Sequence, residues 1–347
     1  MKARLKEAMK TTRSVNTERM NFSQEVARLL VGMADKLTVS FLLACVGMTS
    51  ALAAQPVKRN LSQAQAQNRG HAAQRDERGA FEVTSLLGRK LYAQPDDAAV
   101  IDARKKLAAH PKNVSLILTL SQAQANRRQY REAIATCTKG LTFAPKNADL
   151  YIERGHRELG LREFRAAERD LAHAASLDPK KLDAFYHLGL SYYFQGQFAA
   201  AADSFRKALV LAKTNDSVID CSNWLYVSLR RAGQSAEAAQ ALKRITPSMK
   251  NTEPHLLFYL RLERFYQGAL TEQAVLPPKP ANPNDTEAEL AFDTVTYGVG
   301  NWHLYNKHDT KRATSLFREV VTGNAWNAWG FIGSEVALAH SRASHKQ

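Results

Sequence analysis

The chain has 347 residues, 45% of them hydrophobic and 23% charged. That apolar content supports a substantial core and excludes a mostly disordered chain, while the three cysteines, odd in number and widely spaced, exclude a disulfide framework or a zinc-ligand spacing. A formal net charge of +15 suggests acidic partners or an anionic surface, but the basic residues form no block of the kind found in nucleic-acid tails, so nucleic acid is not an expected partner.

In chain order, the first feature is the run LTVSFLLACVGMTSALAAQ after Lys36. Its apolar part, Leu37 to Met48, is shorter than the ~20 residues that span a bilayer. It ends in Ala51-Leu52-Ala53, the small-x-small pattern of a secretory cleavage site. Residues 1–53 therefore read as an N-terminal extension and signal peptide cut after Ala53, with Met33 offering a conventional short basic start, MADK. LLAC resembles a bacterial lipoprotein box, but bulky Leu43 stands where that box has a small or β-branched residue. Cys45 reads as part of a removed signal, and membrane anchoring is expected only if it is lipidated. Residues 54–80 are rich in Gln, Ala, Arg and Asn and read as a disordered linker, with little apolar surface to offset the entropy of ordering.

A repeat array is expected over 81–250. Pro111, Pro145 and Pro179 lie 34 residues apart, in HPKN, APKN and DPKK. Between them, Phe185, Leu188, Gly189 and Tyr192 follow W-x2-L-G-x2-Y with Phe for Trp, and Ala201 and Phe205 follow A-x3-F. On these residues the chain resembles the tetratricopeptide repeat family. The same frame holds Ile117, Leu120, Ala133 and Cys137 one unit earlier, and Tyr151, Gly155, Ala167 and Leu171 in the unit between. After a slip of about three residues, Leu225, Gly233, Ala238 and Leu242 resume the pattern. A degenerate unit is expected over Phe81 to His110. Small residues such as Gly189 and Ala201 let two antiparallel helices approach, Phe205 fills the groove beside them, and proline at the exit stops the second helix. The expectation is an all-α right-handed superhelix of about six stacked helix pairs with a C-terminal capping helix.

Residues 251–347 depart from the period and read as C-terminal repeat-like helices and a cap. PHLLFYLRLERFYQG reads as a helix started by Pro254, TEQAV as a short helix, and LPPKPANPND as a loop. TEAELAFDTVTYGVGNWHLYNK reads as a long helix in which Thr286 and Glu289 form a capping box. A late unit runs through Tyr297, Gly300, Leu304, Ala313 and Phe317, and WNAWGFIGSEVALAHSR reads as the final helix.

Nothing along the chain has the spacing of a catalytic motif. Gly298-Val299-Gly300 lacks the preceding strand and further glycine of a nucleotide loop and reads as close helix packing. His303, between Trp302 and Leu304, has no second ligand or base nearby in sequence. Cys137 and Cys221 read as free buried thiols. No catalytic residue, metal ligand or cofactor is expected. The surface is where function should lie. In such arrays the first helix of each pair lines the concave face, and the positions facing it are Gln122, Asn126, Ile152, His156, Tyr186, Leu190, Tyr193, Asn223, Val227 and Arg230. Nothing in the repeat demands aromatics at Tyr186 and Tyr193, so an acidic peptide bound there between Asn and Arg is the expectation.

The order NWLYVSLR, RFYQGALTEQAVL, TYGVGNWHLYNKHDTKRATSLFREVV also resembles a group of bacterial envelope tetratricopeptide lipoproteins, over about Val114 to His340. That resemblance implies an adaptor in the periplasm or outer-membrane fraction, a homodimer, and partners such as an envelope protease or a peptidoglycan hydrolase. A cell-wall hydrolase, or an intracellular basic adaptor if residues 1–53 are no signal, are the alternatives.

Overall fold

A computed structural model describes residues 75–76, 79–250, 257–282 and 285–344, all within one compact unit spanning His71–Gln347. The expectations for the export signal, Cys45, most of the linker and the helix start at Pro254 fall outside the described residues. Among the described residues no helix is long and apolar enough to cross a membrane.

The array begins with a sheet, not a helix. Strands β1 (Arg75–Asp76), β2 (Gly79–Thr84) and β3 (Lys90–Tyr92) pair antiparallel in that order, with Phe81 opposite Tyr92 and Thr84 opposite Lys90. A register shift falls between Phe81 and Val83. The unit expected over Phe81 to His110 is thus only half a repeat. Its second helix is present as α1 (Ala98–Ala109), stopped before Pro111, but a hairpin takes the place of the first. Alternation of Phe81 and Val83 with polar residues is the strand signal that a reading for helices passes over. The expected linker is shortened as well, since β1 and the start of β2 belong to this sheet.

The expected pairs follow: α2 (Val114–Asn126) with α3 (Tyr130–Leu141), α4 (Ala148–Gly160) with α5 (Phe164–Leu177), α6 (Leu182–Phe194) with α7 (Phe198–Leu211), and α8 (Asn215–Arg231) with α9 (Ser235–Leu242). The PKN motifs explain the joints. Proline ends one helix, and the asparagine two residues on caps the next: Asn113 accepts from the Leu116 amide at 3.2 Å and Asn147 from the Leu150 amide at 3.0 Å. Inside each pair a glycine sets the approach. A Cβ on Gly189 would lie 2.7 Å from the Phe205 ring, and one on Gly155 2.7 Å from the Leu171 side chain. Cys137 and Cys221 are buried free thiols, and burial pushes the Cys137 thiol up to about 12.

The C-terminal segment supplies α10 (Leu257–Tyr266), the short α11 (Glu272–Val275), α12 (Thr286–Trp302) followed by a wide turn at 303–307, α13 (Thr310–Val320) and α14 (Trp329–Ser344). Helices α12 and α13 form a further pair, whereas α1, α10 and α14 are single, so the count of about six pairs was too simple. The cap of α12 is Asp285, whose carboxylate accepts from the Ala288 amide at 3.1 Å; Thr286 is the first helical residue and does not open a capping box. The Gly298–Gly300 stretch is a packing feature. A Cβ at Gly298 would meet Leu262 of α10 at 2.6 Å, and one at Gly300 would meet Phe317 of α13 at 2.5 Å.

Candidate partner-binding surface

The ten concave positions fall into two sets. On α2, Gln122 and Asn126 are exposed; on α4, His156 is half-buried, while Ile152 is buried in a core cluster with Ala148, Ala174 and Ala184 and is not an open position. From α6 onward the positions are covered. Tyr186, Leu190, Tyr193, Asn223 and Val227 are all buried, and Arg230 is half-buried.

What covers them is the chain's own C-terminal segment. Tyr297 of α12 donates from its hydroxyl to that of Tyr193 at 3.0 Å and packs its ring near Trp224. Arg230 donates to the Tyr305 carbonyl at 2.7 Å, and Arg231 lies 5.2 Å over the Tyr193 ring and 5.1 Å over that of Tyr305. Tyr186 donates to Asp220 of α8 at 2.8 Å. Burial pushes the Asp220 carboxyl up to about 7, opposed by that hydrogen bond. Aromatic side chains at these positions are explained by this closure: they are large, rigid and able to satisfy their hydroxyls inside. Tyr186 and Tyr193 are therefore not an open peptide surface in this structure.

The boundary between the sets is Trp329, the first residue of α14. Its ring lies 5.3 Å from that of His156, 6.2 Å from His187 and 6.1 Å from Phe194, and the two histidine rings stack at 4.2 Å. Burial lowers the pKa of both imidazoles. Trp329 itself is half-buried, so the open concave surface runs from Gln122 and Asn126 to a wall of His156 and Trp329.

Two arginines that the repeat pattern does not announce hold the closure. The turn inside each pair needs a left-handed residue, and Gly196 and Gly233 supply it at φ 77°. Arg128 and Arg162 occupy the same place in the two preceding pairs, at φ 58° and 64°. Both side chains reach the segment before α14. Arg128 donates to the Asn324 carbonyl at 2.9 Å. Arg162 donates to the Trp326 carbonyl at 2.9 Å and pairs with Glu335 at 2.7 Å, with both side chains almost wholly buried. Both guanidinium groups also lie within 6 Å of the Trp326 ring, at 5.9 and 5.7 Å. Counting 34 residues back from Gly196 finds these arginines in the sequence, since a long cation where the turn favours glycine is a local conflict that a distant partner must relieve.

His303 is likewise a structural joint. Its Nε2 lies 2.7 Å from Glu272, which also accepts from Arg312 at 2.9 Å, so α11, the turn after α12 and α13 are tied together.

The tetratricopeptide repeat family profile matches residues 182–215, the α6–α7 pair and the turn that leads into α8. Solved structures that the chain is similar to include a tetratricopeptide repeat protein from Parabacteroides merdae, at 17% identity and TM-score 0.43 over 70% of this chain and 91% of that one. MamA matches at 20% identity and TM-score 0.38 over 49% of this chain and 90% of its own. YrrB, described as a TPR protein with an unusual peptide-binding site, matches at 19% and 0.32 over 60% and 97%. No curated protein matches the chain. The chain thus carries a tetratricopeptide repeat over α6–α7, with helix pairs stacked on either side and the array closed by its own C-terminal helices.

Proposed function

We propose that the protein is a non-catalytic adaptor of the bacterial cell envelope that holds a peptide or protein segment on the open part of its concave face. The observation that carries this reading is the divided face: α2 and α4 present Gln122, Asn126 and His156, while Trp329 forms an aromatic end wall. Exposed amides can bind an extended backbone, and a half-buried Trp beside a His is the type of anchor that dominates binding energy. The family match supports an interaction scaffold. The export pattern before Ala54 and the resemblance to envelope adaptors support the location, and they suggest a protease or peptidoglycan hydrolase as partner and a homodimer as the assembly. A photo-crosslinking residue at Gln122 or Asn126 should yield discrete adducts in the envelope fraction that the same residue at exposed Lys139 on α3 does not. Identical adducts from all three positions would count against a concave site. A mature chain that retains Met1 in that fraction would count against export.

A further inference from the structure

A second surface lies on the outer side, between the second helices of neighbouring pairs. There α7 and α9 flank an open groove of about 560 Å³, floored by Leu225 and Leu229 of α8. Two sequence features create it. First, α9 has 8 residues where α7 has 14, so more than a turn of wall is missing. Second, Leu229 stands four residues before Gly233, where α6 carries the larger Tyr192 four residues before Gly196. The result uncovers apolar surface. Val210, at the end of α7, is 85% exposed, against 9% for its neighbour Leu209.

The charges on the rim are not balanced. Arg206 is matched by Asp203 and Glu237. Lys243 and Arg244, which follow α9 directly, are exposed and have no carboxylate partner among the described residues. An apolar floor between helices, with cations left over on one edge, has the form of a helix-in-groove site.

We propose that this groove docks an acidic amphipathic helix of a partner protein, which stands in for the missing turn of α9. Its apolar residues, spaced i, i+3, i+4 and i+7, would cover Val210 and close over the floor beneath which Leu225 and Leu229 are buried. Its carboxylates would face Lys243 and Arg244. The two unpaired rim cations argue against the same face of a second copy as the occupant, because Lys243 and Arg244 would then meet their own counterparts. The site is separate from the concave face, so crosslinks at Gln122 test one and the groove variants test the other.

The test uses the full chain and two labelled, end-blocked helical peptides in fluorescence anisotropy. One has Leu at the i, i+3, i+4, i+7 positions, Ala between them and Glu on the flanks; in the other every Glu is Lys. The Glu peptide should bind saturably and at least 10-fold more tightly than the Lys peptide. Val210→Glu should weaken it at least 10-fold. Lys243→Glu with Arg244→Glu, both exposed and so compatible with folding, should abolish the preference between the peptides. The proposal is overturned if the Glu peptide does not bind saturably, or if Val210→Glu, folded by circular dichroism, binds it as wild type does. It is also overturned if sedimentation equilibrium shows a dimer that Val210→Glu dissolves, since the groove would then hold a second copy.

Discussion

Replacing Arg162 by alanine removes the one long side chain that ties the turn between α4 and α5 to both ends of the α14 approach. Wild-type Arg162 is 3% exposed and Glu335 1%. The pair has two contacts, Nε to Oε2 at 2.9 Å and Nη2 to Oε2 at 2.7 Å, and the same guanidinium serves the Trp326 carbonyl. Alanine leaves a buried carboxylate without its cation, which costs about 3–5 kcal/mol. It also keeps a Cβ at φ 64°, a strain of about 1 kcal/mol that glycine avoids. Arg162→Gly should therefore be milder than Arg162→Ala by about 1 kcal/mol. Arg162→Met combined with Glu335→Leu should recover most of the loss, because an apolar pair of similar volume can replace a buried ion pair at little or no cost. Urea unfolding followed by circular dichroism at pH 7 gives the three differences, and hydrogen exchange over α14 locates them. An Arg162→Ala variant within about 1 kcal/mol of wild type, or a double variant no more stable than the single, would refute the argument.

Gly189→Ala should destabilise by about 1–3 kcal/mol, because its Cβ would lie 2.7–2.8 Å from the Phe205 ring, and Phe205→Leu should relieve part of that in a double-mutant cycle. Burial lowers the pKa of His156 and His187, whose environment includes the Asp183 carbonyl, Arg157 and Glu153. Both are neutral when packed on Trp329 while the unfolded chain takes up protons near pH 6.5, so stability holds above that pH and falls below it. Thermal melts from pH 8 to 5 should show this fall, and His156→Gln with His187→Gln should flatten it; parallel curves would show that other groups set the acid limb. Asp293 has both carboxylate oxygens buried without a hydrogen-bond partner, and burial with Glu289 nearby pushes it up to about 9. The folded state then holds a proton that the unfolded state releases near pH 4, so this contribution declines as pH rises between about 4 and 9. Asp293→Asn should gain on wild type steadily from pH 5 to pH 9 in urea titrations, and a constant difference would mean that Asp293 is ionised in the fold.

The helix pairs were legible because their cause is local. Proline, the capping asparagine and the glycine at the helix contact all act within one 34-residue unit, so the period carries them. The concave face was not, because exposure there depends on residues far along the chain: Tyr193 meets Tyr297, and Arg162 meets Glu335. A helical face of Tyr186, Leu190 and Tyr193 has the same pattern whether it awaits a peptide or packs against α12. The hairpin before α1 was missed for a different reason. Its strands are short, and the Pro111 joint made a complete pair look necessary. In the same way, Thr286 and Glu289 fitted a capping box one residue out of place, which only the Asp285 side chain settles.

The Arg162–Glu335 tie changes what kind of object the array is. A solenoid whose units touch only their neighbours behaves as a one-dimensional chain that can fray from either end, each unit leaving at its own free energy. Here the turn between α4 and α5 is fastened to the last helix, and Arg89 also reaches the Gly323 carbonyl from the N-terminal hairpin. The chain of units is closed into a loop, and a loop has no terminal unit to lose first. Unfolding of the described repeats should be a single event, and folding should wait on contacts between its first and last parts, which raises contact order far above that of an open array. Shortening this protein from its C-terminus would not give a smaller array of the same kind, but an open one with Tyr186, Tyr193 and Trp224 facing water.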